Sequence, residues 1–153
     1  MKLAIGADHR GFDQKERIKQ HFALIEWIDV GTESLQRVDY PPFAIKVCQA
    51  IQQGRAQGGI LLCGSGAGMA VAANRFLHIY AAVITSPALA RTAKGDDNIN
   101  VIVLPSDFID LATAFDCIST WIATPFKNEP PYTTRMSQID AIECLCNKKG
   151  RPI

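Results

Sequence analysis

Three runs in this chain, KLAIGA (2–7), GGILLCG (58–64) and NVIVLP (100–105), carry almost no polar side chain, and longer amphipathic segments separate them. Runs this short cannot be buried helices spanning a core, and they lack the in-out alternation of a half-exposed strand, so both of their faces must be covered. LIEWIDVG (24–31) and IYAAVIT (79–85) read as two further strands. The intervening segments read as helices over 12–22, with Ile18 and Phe22 on one face, then 43–53, 68–76, 87–94 and 110–123. A last helix over 134–148 carries Met136, Ile139, Ile142 and Leu145 at helical spacing. Strands alternating with helices in this way predict an α/β fold: a three-layer α/β/α sandwich around a five-stranded parallel, Rossmann-like sheet. One domain over 1–148 is expected, with 149–153 as a flexible tail.

In open parallel sheets ligands sit outside the carboxyl ends of the strands. That directs attention to Asp8 and His9 after the first strand and to residues 63–68 after the third. A formal net charge of +1 gives no reason to expect a nucleic-acid or anionic-membrane surface, so an anionic ligand has to be caught locally. No apolar run has the length of a membrane span, and MKLAIGADHRGF lacks a signal-peptide core. Five cysteines, odd in number and mostly within apolar segments, suit a reducing compartment, the cytoplasm. Cys144 and Cys146 lack a second ligand pair, so no metal site is expected.

Cys63 lies where the third strand ends, and Gly64, Gly66 and Gly68 follow at every second position before an alanine-rich helix. Backbone N–H groups can converge there on an oxyanion, and the positive helix end lowers a thiol's pKa, which predicts a partly ionised Cys63 near neutrality. The plainer alternative is a buried strand-end cysteine beside a tight turn. The loop is neither a P-loop, since no lysine follows, nor a dinucleotide fingerprint, which belongs after the first strand. Asp8 and His9 face the same crevice as candidate proton carrier and anion ligand, or else form the turn that starts the first helix. His21 and His78 read as surface positions, and Asp39-Tyr40-Pro41 as a helix start.

At this point the motifs become specific. GADHRGF (6–12), VDYPPFA (38–44), GILLCGSGAGMAVAANRF (59–76) and NINVIVL (98–104) resemble the ribose-5-phosphate isomerase B / galactose-6-phosphate isomerase family, over residues 1 to about 143. The resemblance implies an aldose–ketose isomerase without cofactor that works through a cis-enediolate, with ribose 5-phosphate and ribulose 5-phosphate as the ordinary pair. It also implies a homodimer, or a dimer of dimers, with sites at the interface. Cys63 matches the catalytic base; the N–H groups around Gly64, Gly66 and Gly68 would stabilise the enediolate oxygen; Ser65 would stand near the hydroxyls that exchange protons. Asp8 matches a ligand of a substrate hydroxyl and His9 a phosphate or substrate contact. Tyr40 would line the pocket, and Asn74, in the A-A-N-R segment, joins the substrate-binding set.

The match departs in two places. Asp96 and Asp97 stand where the family has a histidine and an asparagine that reach the neighbouring subunit's site, so Asp96 is the expected substitute for the ring-opening acid and Asp97 a substrate contact. A carboxylate can relay a proton but is a poorer acid than imidazole at neutral pH. The family's arginine after the fifth strand becomes Asp107, and its late R-H-x-x-R becomes Pro131-Tyr132-x-x-Arg135. Arg135 and His9 remain for a phosphate, Lys94 stands near a family arginine, and Asp107 is expected to repel a dianion. Two alternatives stay beside the ribose 5-phosphate reading: isomerisation of another phosphate, such as an open-chain tetrulose phosphate, and a non-catalytic sugar- or phosphate-binding paralogue. Asp8, Cys63 and Ser65 together favour an enzyme.

Overall fold

A computed structural model describes residues 1–147. Strands β1 (Lys2–Ala7), β2 (Glu26–Asp29), β3 (Gly59–Cys63), β4 (Ala81–Val83) and β5 (Val101–Pro105) form one parallel sheet in the order β2-β1-β3-β5-β4. The three apolar runs are its centre, in a register that sets Ile5 beside Ile60 and Leu61 beside Val103. Helices α1 (Phe12–His21), α2 (Pro41–Gln52), α3 (Ala67–Ala73), α4 (Pro87–Asp97), α5 (Leu111–Ala123) and α6 (Tyr132–Asn147) complete the described chain.

Because successive strand residues point to opposite faces, each central run feeds two cores. Leu3, Ile5, Ile60, Leu62, Ile102 and Leu104 pack with Ile18 of α1, Ala90 of α4 and Ile118 of α5. Ala4, Leu61, Val101 and Val103 pack on the other face with Val47 of α2 and Met69 of α3. The expected sandwich is thus present, with helices on both faces. Strands β1 and β3 are neighbours, yet the helices that follow them, α1 and α3, leave to opposite faces. Their loops therefore part at the carboxyl end of the sheet and open a crevice there.

The edges depart from expectation. β2 is registered on β1 from Glu26 to Asp29, opposite Lys2 to Ile5, and Leu24, expected at its start, lies outside it and is fully exposed. β4 is likewise shorter than expected, three residues, Ala81 to Val83, set against Val101 to Val103 of β5. Helix α4 continues past 94 to Asp97 and stops at Asn98, which takes the left-handed conformation (φ 48°). Two carboxylates in a last helical turn oppose the helix dipole; Lys127 answers one of them, its Nζ 2.6 Å from Asp96 Oδ1. Helix α6 begins at Tyr132. Of its apolar stripe Met136 is buried, whereas Ile139 and Ile142 are exposed. The side chains of Cys144, Leu145 and Cys146, together with Lys148 and the 149–153 tail, lie outside the described residues. Among the described residues no helix is long and apolar enough to cross a membrane.

Candidate active site

The crevice is built by the loops that follow β1, β3 and β5. Asp8, almost fully buried, accepts the N–H groups of Arg10 (2.9 Å) and Gly11 (3.2 Å) on Oδ1, while its own N–H donates to Leu62 O of the adjacent strand (3.2 Å). The turn that starts α1 and the placement of a carboxylate beside β3 are thus the same feature. His9 accepts the Val38 N–H on Nδ1 (3.3 Å), which leaves Nε2 to carry the ring's proton. That bond ties the 33–40 loop to the crevice and brings in Tyr40, the residue before α2. The Tyr40 ring lies against Gly68: a Cβ there would come within 2.4 Å of Cζ and 2.7 Å of the hydroxyl.

Cys63 ends β3 with only 5% of its surface exposed, and its Sγ accepts the Gly66 N–H at 3.2 Å. Gly66 makes this possible with φ +76° and ψ −26°, a left-handed conformation that turns the chain from strand into helix and swings the N–H back onto the sulfur. Burial pushes the thiol above its ordinary 9.0; the N–H groups of Gly66 and Met69 pull it down, the Asp8 carboxylate pushes it up, and the Ser65 N–H pulls it down again. The partly ionised resting thiol expected from the helix end is therefore corrected. Removal from water outweighs the donors of a helix only seven residues long. Ser65 is exposed at the rim, and its Oγ accepts the Ala67 N–H at 3.4 Å.

The loop after β5 is bound to the same strand end. Ser106 N donates to Cys63 O (2.9 Å) and Asp107 N to Gly64 O (3.0 Å). Asp107 is ion-paired with Arg10, and the pair lies over Gly64. The expected naked negative charge at position 107 is thereby corrected: a guanidinium three residues beyond the end of β1 neutralises it.

Asp8, His9, Tyr40, Cys63, Gly64, Ser65, Gly66 and Gly68 are thus gathered at one end of the sheet. The rest of the expected set is not. Helix α4 starts at the carboxyl end of β4 and runs back, so Asp96 and Asp97 lie at the amino ends of the strands, away from Cys63. Asp96 accepts from Lys127, whose Nζ also reaches Tyr132 Oη (3.3 Å), and Arg135 stacks over the same Tyr132 ring. Asp96 and the Tyr132 phenol raise the pKa of this lysine, the Asp96 hydrogen bond most. Asn74 is engaged by the backbone of Ala81 at both ends of its amide (2.8 and 2.9 Å), which fixes the return into β4. With Asp97 it lines a 270 Å³ depression at that far end. Lys94, expected to supplement phosphate binding, instead donates to Asn98 of its own helix end (3.0 Å), and burial lowers its pKa. A larger depression of 520 Å³, lined by Arg91, Thr120 and Thr124, lies along α4 and α5 and does not include Cys63.

Two residues of consequence escape a reading of the sequence. Arg10 follows the Asp8-His9 pair directly, and its adjacency was a signal. Lys127 meets Asp96 across 31 positions of the chain, and no local pattern marks it.

With that geometry in view, comparison with known proteins is consistent. A family model described as Ribose/Galactose Isomerase matches residues 3–139. Ribose-5-phosphate isomerase B of Escherichia coli is 36% identical over 144 residues, covering 93% of this chain and 96% of that one. The crystal structure of a ribose 5-phosphate isomerase from Thermotoga maritima superposes with a TM-score of 0.88 at 42% identity, covering 92% of this chain and 97% of that one. Ribose-5-phosphate isomerase B from Mycoplasma genitalium, crystallised with bound ribulose-5-phosphate, gives 0.87 at 28% identity, covering 94% and 96%.

Proposed function

The chain belongs to the Ribose/Galactose Isomerase family and is an aldose–ketose isomerase of the sugar-phosphate class, and from that premise we propose that it interconverts ribose 5-phosphate and ribulose 5-phosphate with Cys63 as the base. The observation that carries this reading is the sulfur itself: at the carboxyl end of the central strand, held by the Gly66 N–H and flanked by Asp8. The E. coli relative's activity and the ribulose-5-phosphate in the Mycoplasma structure favour the pentose pair. In the step so assigned, the Cys63 thiolate takes the proton from the carbon next to the carbonyl. The electron pair moves into the enediolate, and the thiol returns the proton to the neighbouring carbon. Asp8, fixed through Oδ1, holds a substrate hydroxyl, and Ser65 exchanges protons between the two oxygens. Backbone N–H groups of the 64–68 loop stabilise the charge that develops on oxygen.

The reading extends to a second copy of the chain. Asp96, Lys127, Tyr132 and Arg135 form a polar cluster at the far end of the sheet from Cys63, and we assign them to the crevice of a neighbouring protomer in a homodimer.

The experiment is isomerisation in D2O followed by NMR, with ribose 5-phosphate, erythrulose phosphates and hexose 6-phosphates, on the protein and on Cys63→Ala. Deuterium at the carbon next to the carbonyl that depends on Cys63, fastest with ribose 5-phosphate, is expected. Equal exchange by Cys63→Ala would remove the cysteine from the mechanism, and a faster sugar would replace the substrate.

A further inference from the structure

We propose that Arg10 binds the phosphate of the substrate at the Cys63 crevice, and that Asp107 occupies its guanidinium as an intramolecular stand-in that the phosphate displaces. The proposal rests on the sugar-phosphate reading above. Both partners are anchored on the loops that carry the chemistry. The Arg10 N–H donates to Asp8 Oδ1 at 2.9 Å, so the residue starts from a fixed backbone position. Its side chain then crosses Gly64, the residue after Cys63: a Cβ at Gly64 would come 2.6 Å from Nε, 2.9 Å from Cδ and 2.5 Å from Asp107 Oδ2. The absence of a side chain at 64 is what lets the pair lie there. Asp107 is held from its own side by the bond to Gly64 O.

The pair is poised for exchange. With 56% of the Arg10 side chain and 34% of the Asp107 side chain exposed, its attraction is screened by water. Asp107 engages Nη2 through one oxygen, whereas a guanidinium presents five donors in a plane that suits two oxygens of a phosphate at once. A dianion therefore gains more from Arg10 than Asp107 does, and Asp107 opposes it both by competing and by like charge. His9, the neighbouring basic side chain, has Nδ1 committed to Val38.

Inorganic phosphate is the probe, its affinity measured by titration calorimetry and by 31P NMR, so that turnover is not needed. Arg10→Ala is expected to weaken phosphate roughly tenfold or more, as loss of a charge-assisted bidentate contact does, and Arg10→Lys to recover part of the loss. Asp107→Asn is expected to tighten phosphate about two- to fivefold, the worth of an exposed ion pair no longer competing. Gly64→Ala, which displaces the pair without touching either charge, should resemble Arg10→Ala. In turnover, KM for ribose 5-phosphate should follow the phosphate affinity while kcat changes less. Phosphate affinity unchanged in Arg10→Ala, or weakened in Asp107→Asn, overturns the proposal. Loss of D2O exchange in Cys63→Ala with phosphate affinity indifferent to Arg10 would leave the isomerase reading intact and reject this one. Cysteine-independent exchange with Arg10-dependent phosphate binding would remove Cys63 from the mechanism and leave this proposal standing.

Discussion

Alkylation of Cys63 across pH measures the balance that the crevice strikes at its sulfur. The structure puts this thiol above 9.0, with burial the largest cause and the Asp8 carboxylate adding to it against the N–H groups of Gly66, Met69 and Ser65. A thiol raised in this way stays protonated at neutral pH, so reaching the reactive thiolate costs free energy before any reaction can begin. Because only the thiolate attacks, the iodoacetamide rate should rise about tenfold per pH unit and still be rising at pH 9. Trypsin releases residues 56–75 as one peptide containing Cys63 and no other cysteine, so mass spectrometry follows it alone. Cys48 and Cys117, wholly buried and pushed up to about 12 and about 11, should lag far behind. Asp8→Asn, which keeps an acceptor for Arg10 and Gly11 while removing the charge, should move the profile to lower pH. The same shift bears on stability: a thiol raised by folding contributes fully below its unfolded pKa and loses that contribution as pH climbs through the folded value. A rate that levels off below pH 8, or an Asp8→Asn profile displaced upward, would refute the claim that burial and Asp8 dominate.

Two further tests address the assembly and the frame. Mixed dimers made from Cys63→Ala and Arg135→Ala chains should regain about one quarter of wild-type sites from two inactive parents, since half of random pairs carry one intact shared site of two; no recovery would show that each crevice is complete within its own chain. At Asp29, burial disfavours the charge, but hydrogen bonds from Lys15, Lys19 and the Gly31 N–H hold the carboxyl below its ordinary 3.8. A depressed carboxylate stabilises above its unfolded pKa and loses that as pH falls through the folded value. Asp29→Asn should therefore cost about 3 kcal/mol at pH 7 in urea unfolding, the low end for a broken buried pair because Lys15 keeps Glu16. The cost should shrink toward pH 3; a cost independent of pH would mean the pairing contributes no net charge stabilisation.

Local chemistry along the chain carried most of the fold. Runs such as ILLC and VIVL can only be strands covered on both faces, and the helical spacing of the segments between them leaves few alternatives to a parallel sandwich. Edges were less legible, because how far β2 and β4 extend depends on the neighbour each is given, as Leu24 illustrates by standing in solvent. Within the site, the residues at strand ends were placed by connectivity: Asp8 after β1 and Cys63 at the end of β3 had to meet once those strands were adjacent. Residues reached through helices were not. Asn74 sits within a motif and Asp96 just before one, yet α3 and α4 carry them to the far end of the sheet.

The sequence alone determined the layers, the carboxyl-end location of the crevice and the thiol within it, since apolar period and glycine placement act over a few residues. Only the tertiary structure decided the charge of that crevice. Whether Cys63 is ionised depends on water excluded by the packed sheet. Whether Asp107 repels an anion depends on Arg10, 97 positions away along the chain and in contact only because the strands β1, β3 and β5 are neighbours and bring the loops after them together at one sheet end. Burial and Coulomb interaction follow distance in space, and the order of residues along a chain does not specify that distance until the strands have paired.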